Sequence, residues 1–183
     1  MKLGRPVSIL VALVLCLAVL PVASARAETD AQALLSSIDL LARQGWILNC
    51  GYRVEKDTVD EVTDEIGKPD SSAYVASAKG TYATFNQARI VVGFNKGDQI
   101  FELRSMDARL SDITLKDVQT FYGAPDHTAS GNGEQYLSYK LSDSLNIKFV
   151  FSATGKNPKL SHYNVLWPEG SANLMADDPG RTW

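Results

Sequence analysis

The stretch Thr58-Val59-Asp60-Glu61-Val62-Thr63-Asp64-Glu65-Ile66-Gly67-Lys68-Pro69-Asp70 has a counterpart 56 residues on: Thr114-Leu115-Lys116-Asp117-Val118-Gln119-Thr120-Phe121-Tyr122-Gly123-Ala124-Pro125-Asp126. Each opens with Thr at a helix N-cap and an acid three residues later, the pattern of a capping box. Each carries apolar residues at helical spacing, Val59, Val62 and Ile66 in the first and Leu115, Val118 and Tyr122 in the second. Each stops at a Gly suited to the position after a helix, with a Pro two residues later that cannot continue it. Ile113 is placed to staple onto Val118. Helices of about two turns are not stable alone, so packing must hold them.

Outward from these segments, strands are expected after each G-x-P-D. In the first segment they are Tyr82–Phe85, Ile90–Phe94 and Ile100–Ser105; in the second, Gln135–Leu141, Ile147–Phe151 and Ser161–Trp167. Asn95-Lys96-Gly97-Asp98 and Asn132-Gly133 are hairpin turns by composition. Strand alternation puts Ala83, Phe85, Ile90, Val92, Phe94, Phe101 and Leu103 on a core face, with Leu137, Tyr139, Ile147, Phe149, Phe151, Val165 and Trp167 as equivalents. The opposite, solvent face takes Tyr82, Thr84, Glu102 and Arg104, then Tyr136, Ser138, Lys140, Lys148, His162 and Asn164. An earlier helix is expected to start at Thr29, with Gln32 at its third position, a stripe of Leu34, Leu35, Ile38 and Leu41, and an end at Gly45. The fold class is therefore α+β, with tandem helix–antiparallel meander repeats and the helices on one face of the sheet. The chain divides into a leader at 1–27, a helix and connection at 28–57, a first repeat at 58–113, a second at 114–167 and an irregular tail at 168–183.

The leader has a cationic start at Lys2 and Arg5, an apolar run from Val7 to Leu20, and Ala25-Arg26-Ala27 as a small-x-small cleavage site. This is the pattern of a secretory signal peptide, cleaved after Ala27, and the expected localisation is extracellular with no membrane anchor. Leu15 precedes Cys16 where a lipobox needs a small residue, which argues against lipid anchoring.

The 183 residues carry 18 Lys+Arg against 21 Asp+Glu, with 45% hydrophobic residues, a globular and mildly acidic composition. Loss of the leader removes Lys2, Arg5 and Arg26 and no acid, leaving 156 residues with 15 basic and 21 acidic, a formal charge of −6. Such a balance speaks against nucleic acid as a partner. Of the two Cys, only Cys50 remains, so no internal disulfide forms and Cys50 is expected as a small buried side chain.

Tyr74–Phe85 (YVASAKGTYATF), Gly93–Ser105 (GFNKGDQIFELRS), Ile113-Thr114-Leu115 and the ending Met175–Trp183 (MADDPGRTW) resemble the YjgB family. The resemblance implies an exported protein of Gram-positive spore-forming bacteria whose domain has no assigned function. A helix ending in G-x-P-D before a meander, in two copies, also resembles the arrangement of β-lactamase-inhibitor-like proteins, a likeness of architecture alone.

No nucleophile elbow, P-loop or H-E-x-x-H motif is present, and no catalytic residue, metal site or cofactor is expected. His127 is expected in an exposed loop, and Asp177-Asp178 as a solvated acidic pair. The expected function is that of a secreted, non-enzymatic binding protein. Its solvent sheet face, with Tyr82, Thr84, Glu102, Arg104, Tyr136, Ser138, Lys140, Lys148, His162 and Asn164, would hold an extracellular protein or a cell-wall component. Two alternatives stand beside it: an envelope hydrolase built on His162 with Ser138 and Glu102, and an enzyme inhibitor of the β-lactamase-inhibitor type.

Overall fold

A computed structural model describes residues 30–171; the leader, Thr29, Asp177-Asp178 and the Met175–Trp183 ending lie outside the described residues. The elements are α1 (Asp30–Ala42), α2 (Val59–Ile66), β1 (Ser71–Val75), β2 (Gly80–Phe85), β3 (Ile90–Phe94), β4 (Ile100–Ser105), α3 (Leu115–Tyr122), β5 (His127–Gly131), β6 (Glu134–Lys140), β7 (Asn146–Ser152) and β8 (Leu160–Leu166).

Both short helices begin in capping boxes. The Thr58 hydroxyl accepts from the Glu61 N–H at 3.4 Å while the Glu61 carboxylate accepts from the Thr58 N–H at 2.7 Å. Thr114 and Asp117 do the same at 3.3 and 2.9 Å. The helices end at Gly67 and Gly123, with φ of 93° and 79°, in the left-handed region that a Cβ disfavours. The Asp of each G-x-P-D then closes the segment. Asp70 donates its N–H to the Thr84 carbonyl and accepts from the Asn86 N–H, at 2.8 and 2.7 Å. Asp126 donates to the Ser138 carbonyl and accepts from the Lys140 N–H, at 3.0 and 2.7 Å. At their starts, Thr58 bridges to Gln99 and Thr114 to Lys159. Each helix is thus pinned at both ends to the strands that follow it.

The strands form one eight-stranded antiparallel sheet in the order β1-β2-β3-β4-β8-β7-β6-β5. Two strands exceed the sequence expectation, β1 and β5, and they are the two sheet edges. Asn132 and Gly133, with φ of 53° and 79°, make a two-residue turn between β5 and β6. Positive φ at both positions matches the twist of a hairpin, which is why Asn-Gly favours it.

The three helices and the connection after α1 cover one face. Leu35, Ile38 and Ala42 of α1, Val59 and Val62 of α2, and Val118 of α3 bury against Ala83, Phe85, Ile90, Val92, Leu103, Leu137, Ile147, Phe149, Tyr163 and Val165. Tyr163 is fully buried and its hydroxyl accepts the Leu48 N–H at 2.7 Å, which holds the connection onto the sheet. Ile66, expected in the helix stripe, is instead 41% exposed, because it lies in the last turn where α2 leaves the core.

Phe101 is the second departure. Alternation from Leu103 assigns it to the helix face, but the β3–β4 register shifts so that Gly93 pairs with Glu102 and Phe94 with Ile100. Phe101 is the extra residue of this bulge and its ring turns to the other face, edge-on to Tyr82 with centroids 5.8 Å apart. It fills space that only glycine permits, since a Cβ on Gly80 would lie 2.4 Å from the Phe101 ring. A 3-10 turn at Pro168–Ser171 lies over Phe101, with the Gly170 carbonyl accepting from the Asn95 side chain at 3.0 Å. The start of the expected irregular tail is therefore part of the fold. β8 has a matching shift, with Val150 opposite His162 and Phe151 opposite Leu160.

Urea unfolding tests these assignments. Thr58→Ala and Thr114→Ala should each lower stability by about 1 kcal/mol through loss of the cap. Phe101→Ala should cost about 3–5 kcal/mol, as expected of a buried ring and not of a solvent-facing one.

Candidate functional site

The face away from the helices holds a cavity of about 600 Å³. Its lining includes Ser71, Ala73 and Val75 of β1 as well as His127 of β5, the two opposite edges of the sheet. Eight strands laid flat would span ~34 Å between edges. Edges that share one cavity require a sheet curled toward this face.

Register explains how the polar side chains meet. Cross-strand pairs run in one line from Ser71 through Thr84, Val91, Arg104, Asn164, Lys148 and Ser138 to His127. One step along the strands on one side lie Tyr82 and Glu102; on the other side lie Tyr136 and His162. Eight of the ten residues expected from the sequence line the cavity: Tyr82, Thr84, Glu102, Arg104, Tyr136, Ser138, Lys148 and Asn164. His162 shares the face but lies outside the lining, and Lys140 is exposed at a strand end, 3.4 Å from Asp143.

The expectation of a uniformly solvated face does not hold. Glu102 and Asn164 are each only 3% exposed, because they sit where the two halves of the sheet join at the floor of the curl. Burial demands partners, and Glu102 accepts from the Tyr82 hydroxyl at 2.7 Å, the Arg104 guanidinium at 3.2 Å and the Asn164 amide at 2.5 Å. Two enclosed atoms in this cluster, Arg104 Nε and Asn164 Oδ1, have no hydrogen-bond partner among the described residues. On the wall, Lys148 Nζ stands 4.9 Å from the centre of the Tyr136 ring, a cation–π contact.

The sequence reading missed His127, Ser71, Ala73 and Val75 because it missed the edge strands. A signal existed: a two-residue Asn132-Gly133 turn needs a strand on each side. Placing one at His127–Gly131 puts His127 opposite Ser138 on the cavity face, not in a loop.

Burial, with the Arg104 and Lys148 charges adding to it, pushes the His162 imidazole down to about 4, so it is neutral near pH 7. Its Nδ1 lies 3.2 Å from the Ser161 hydroxyl, and Glu102 is committed to Tyr82, Arg104 and Asn164. The imagined Ser138–His162–Glu102 relay is thus not assembled. Cys50 is half-buried and its thiol is pushed up to about 11 by burial, in keeping with an inert side chain. Among the described residues, no group of three or more His, Cys, Asp or Glu side chains is placed to hold a metal ion. Among the same residues, no helix is long and apolar enough to cross a membrane.

The His162 environment has a measurable consequence. The unfolded chain takes up this proton from about pH 6.5 downward and the folded chain only near pH 4, so protons favour unfolding in that window. Stability should fall as pH drops from about 6.5 toward 4, and His162→Gln should flatten that fall in a series of urea melts. Histidine NMR should place one imidazole midpoint near 4; a midpoint near 6.5 for both histidines would remove the assignment.

A family model described as a domain of unknown function, DUF4309, matches residues 35–166. The solved structure of a DUF4309 family protein, YjgB from Bacillus subtilis subsp. subtilis str. 168, is similar in fold. It has a TM-score of 0.57 and 18% sequence identity, and the match covers 74% of this chain and 96% of that chain. No curated protein matches the chain significantly. The matched region takes in well over half of the 183 residues and spans every strand and helix from α2 to β8, and the chain belongs to the DUF4309 family.

Proposed function

We propose that this is a secreted, non-enzymatic binding protein of the bacterial cell envelope or exterior, and that it holds a protein or cell-wall partner in the curl of its sheet. The observation that carries this reading is the cavity of about 600 Å³ with Glu102, Arg104 and Asn164 interlocked at its floor. Its volume is in the range of ligand sites, and its lining is mostly polar and charged, with Ala73, Val75, Ala78, Val91 and Leu166 as the apolar part. Export is carried by the leader, with cleavage after Ala27.

The two halves are read as tandem copies of one helix–meander unit, in the manner of β-lactamase-inhibitor-like proteins. In support, paired capping boxes, paired Asp clasps and paired bulges recur on both sides of the β4–β8 junction. An inhibitor function rests on that likeness alone. A His162 hydrolase has less support, since an imidazole held near 4 is a weak base at neutral pH.

A steric plug tests the binding reading. Thr84 and Ser138 lie on opposite sides of the cavity and are half-buried. The Thr84→Tyr/Ser138→Tyr variant should fold with an unchanged circular dichroism spectrum. It should lose co-sedimentation with isolated cell-wall sacculi, or cross-linking to a purified envelope partner, that the wild type shows. Equal capture by both proteins would overturn the proposal. Mass spectrometry of the exported protein should find a chain starting at Glu28.

A further inference from the structure

We infer that the cavity takes a short stretch of uncharged glycan, recognised by neutral hydroxyl groups on its walls rather than by charge. This rests on the binding function proposed above and names the ligand class of that same site.

The charges of the cavity are already answered within the protein. Arg104 pairs with Glu102 at 3.2 Å, and Glu102 also accepts from Tyr82 and Asn164. Lys148 is engaged as well, with its ammonium against the Tyr136 ring. A charged ligand would have to break into these pairings and lose its own hydration, a double cost that an uncharged ligand avoids.

The uncommitted polar groups are hydroxyls. Ser71, Thr84 and Ser138 line the cavity, and among the described residues their side chains make no hydrogen bond. Register places them at both ends of the cross-strand row: Ser71 is opposite Thr84 on β1 and β2, and Ser138 is opposite His127 on β6 and β5. The curl of the sheet sets these two pairs on opposite walls of one cavity. Each hydroxyl both donates and accepts. Alternation along β1 also brings Ala73 and Val75 to the wall beside Ser71, an apolar strip next to the first pair. A sugar ring has the same division, with hydroxyls around its rim and C–H groups on its faces. It can meet hydroxyls on two walls while laying a C–H face on Ala73 and Val75. An extended peptide is held differently, by pairing its main chain with a sheet edge. Here the row runs across the strands and presents side chains only.

The test titrates the full protein with three uncharged trisaccharides of different linkage, chitotriose, cellotriose and maltotriose, and with acetyl-trialanine amide as an uncharged peptide. Binding is followed by NMR at the Ser71, Thr84 and Ser138 amides. At least one trisaccharide should bind with a Kd below ~10 mM and move these resonances. That Kd should change by less than about twofold between low and high salt, since no ion pair is formed. Thr84→Val and Ser138→Ala remove a hydroxyl at nearly constant shape, and each should weaken binding roughly twofold to tenfold with an unchanged circular dichroism spectrum. Three results would overturn the inference: no trisaccharide bound by ~10 mM, whether or not the peptide binds; affinity that collapses in salt; or both variants binding as the wild type does. If no trisaccharide binds, loss of capture by the Tyr-plugged variant would still leave the binding function standing. If the Tyr plugs leave capture intact while a trisaccharide binds at these three residues, the glycan site stands and the macromolecular partner falls.

Discussion

The pairing of β4 with β8 is the interaction on which the rest depends. Four residue pairs, from Glu102–Leu166 to Ser105–Tyr163, join two meanders that are otherwise edge to edge. Through them Leu103 and Val165 become neighbours in the core, and Arg104 and Asn164 become neighbours at the floor of the cavity. Without this junction each half would expose an unpaired strand, with its row of backbone donors and acceptors. With it, β1 and β5 are the two edges of the sheet among the described residues.

The two faces of the sheet obey different constraints. On the helix face, burial is satisfied by apolar contact, and two-turn helices persist because capping boxes and Asp clasps tie their ends to the strands. On the opposite face the sheet curls around polar side chains. There, burial of Glu102 and Asn164 is tolerated only because Tyr82, Arg104 and Asn164 all donate to the Glu102 carboxylate. The pattern Glu102-x-Arg104 on one strand and Asn164 on its neighbour places these groups on one side by simple alternation. Two enclosed atoms of the cluster, the Arg104 Nε donor and the Asn164 Oδ1 acceptor, are left without a partner among the described residues.

Periodicity failed where a strand gained a residue. Alternation counted back from Leu103 sends Phe101 to the helix face, and the bulge opposite Gly93–Phe94 reverses it. No local pattern announces the bulge, but glycines at 80, 93 and 170 mark where the displaced ring needs room. The edge strands failed for another reason. Ser71–Val75 is exposed at every residue and His127–Gly131 nearly so, so neither has the apolar alternation by which strands are recognised.

The sequence by itself determined the elements whose signals are local: the starts and stops of α2 and α3 in their Thr, acid, Gly and Pro residues, the six inner strands, the α+β class, and most of the residues that share the cavity face. Tertiary structure alone decided that the two meanders form one sheet and that its edges curl around a common space. It also decided that Glu102 and Asn164 are buried rather than wet. The reason is physical. Caps, turns and alternation are set by residues within a few positions of one another. The β4–β8 register joins residues about 60 positions apart and depends on the packing of the whole core beneath them.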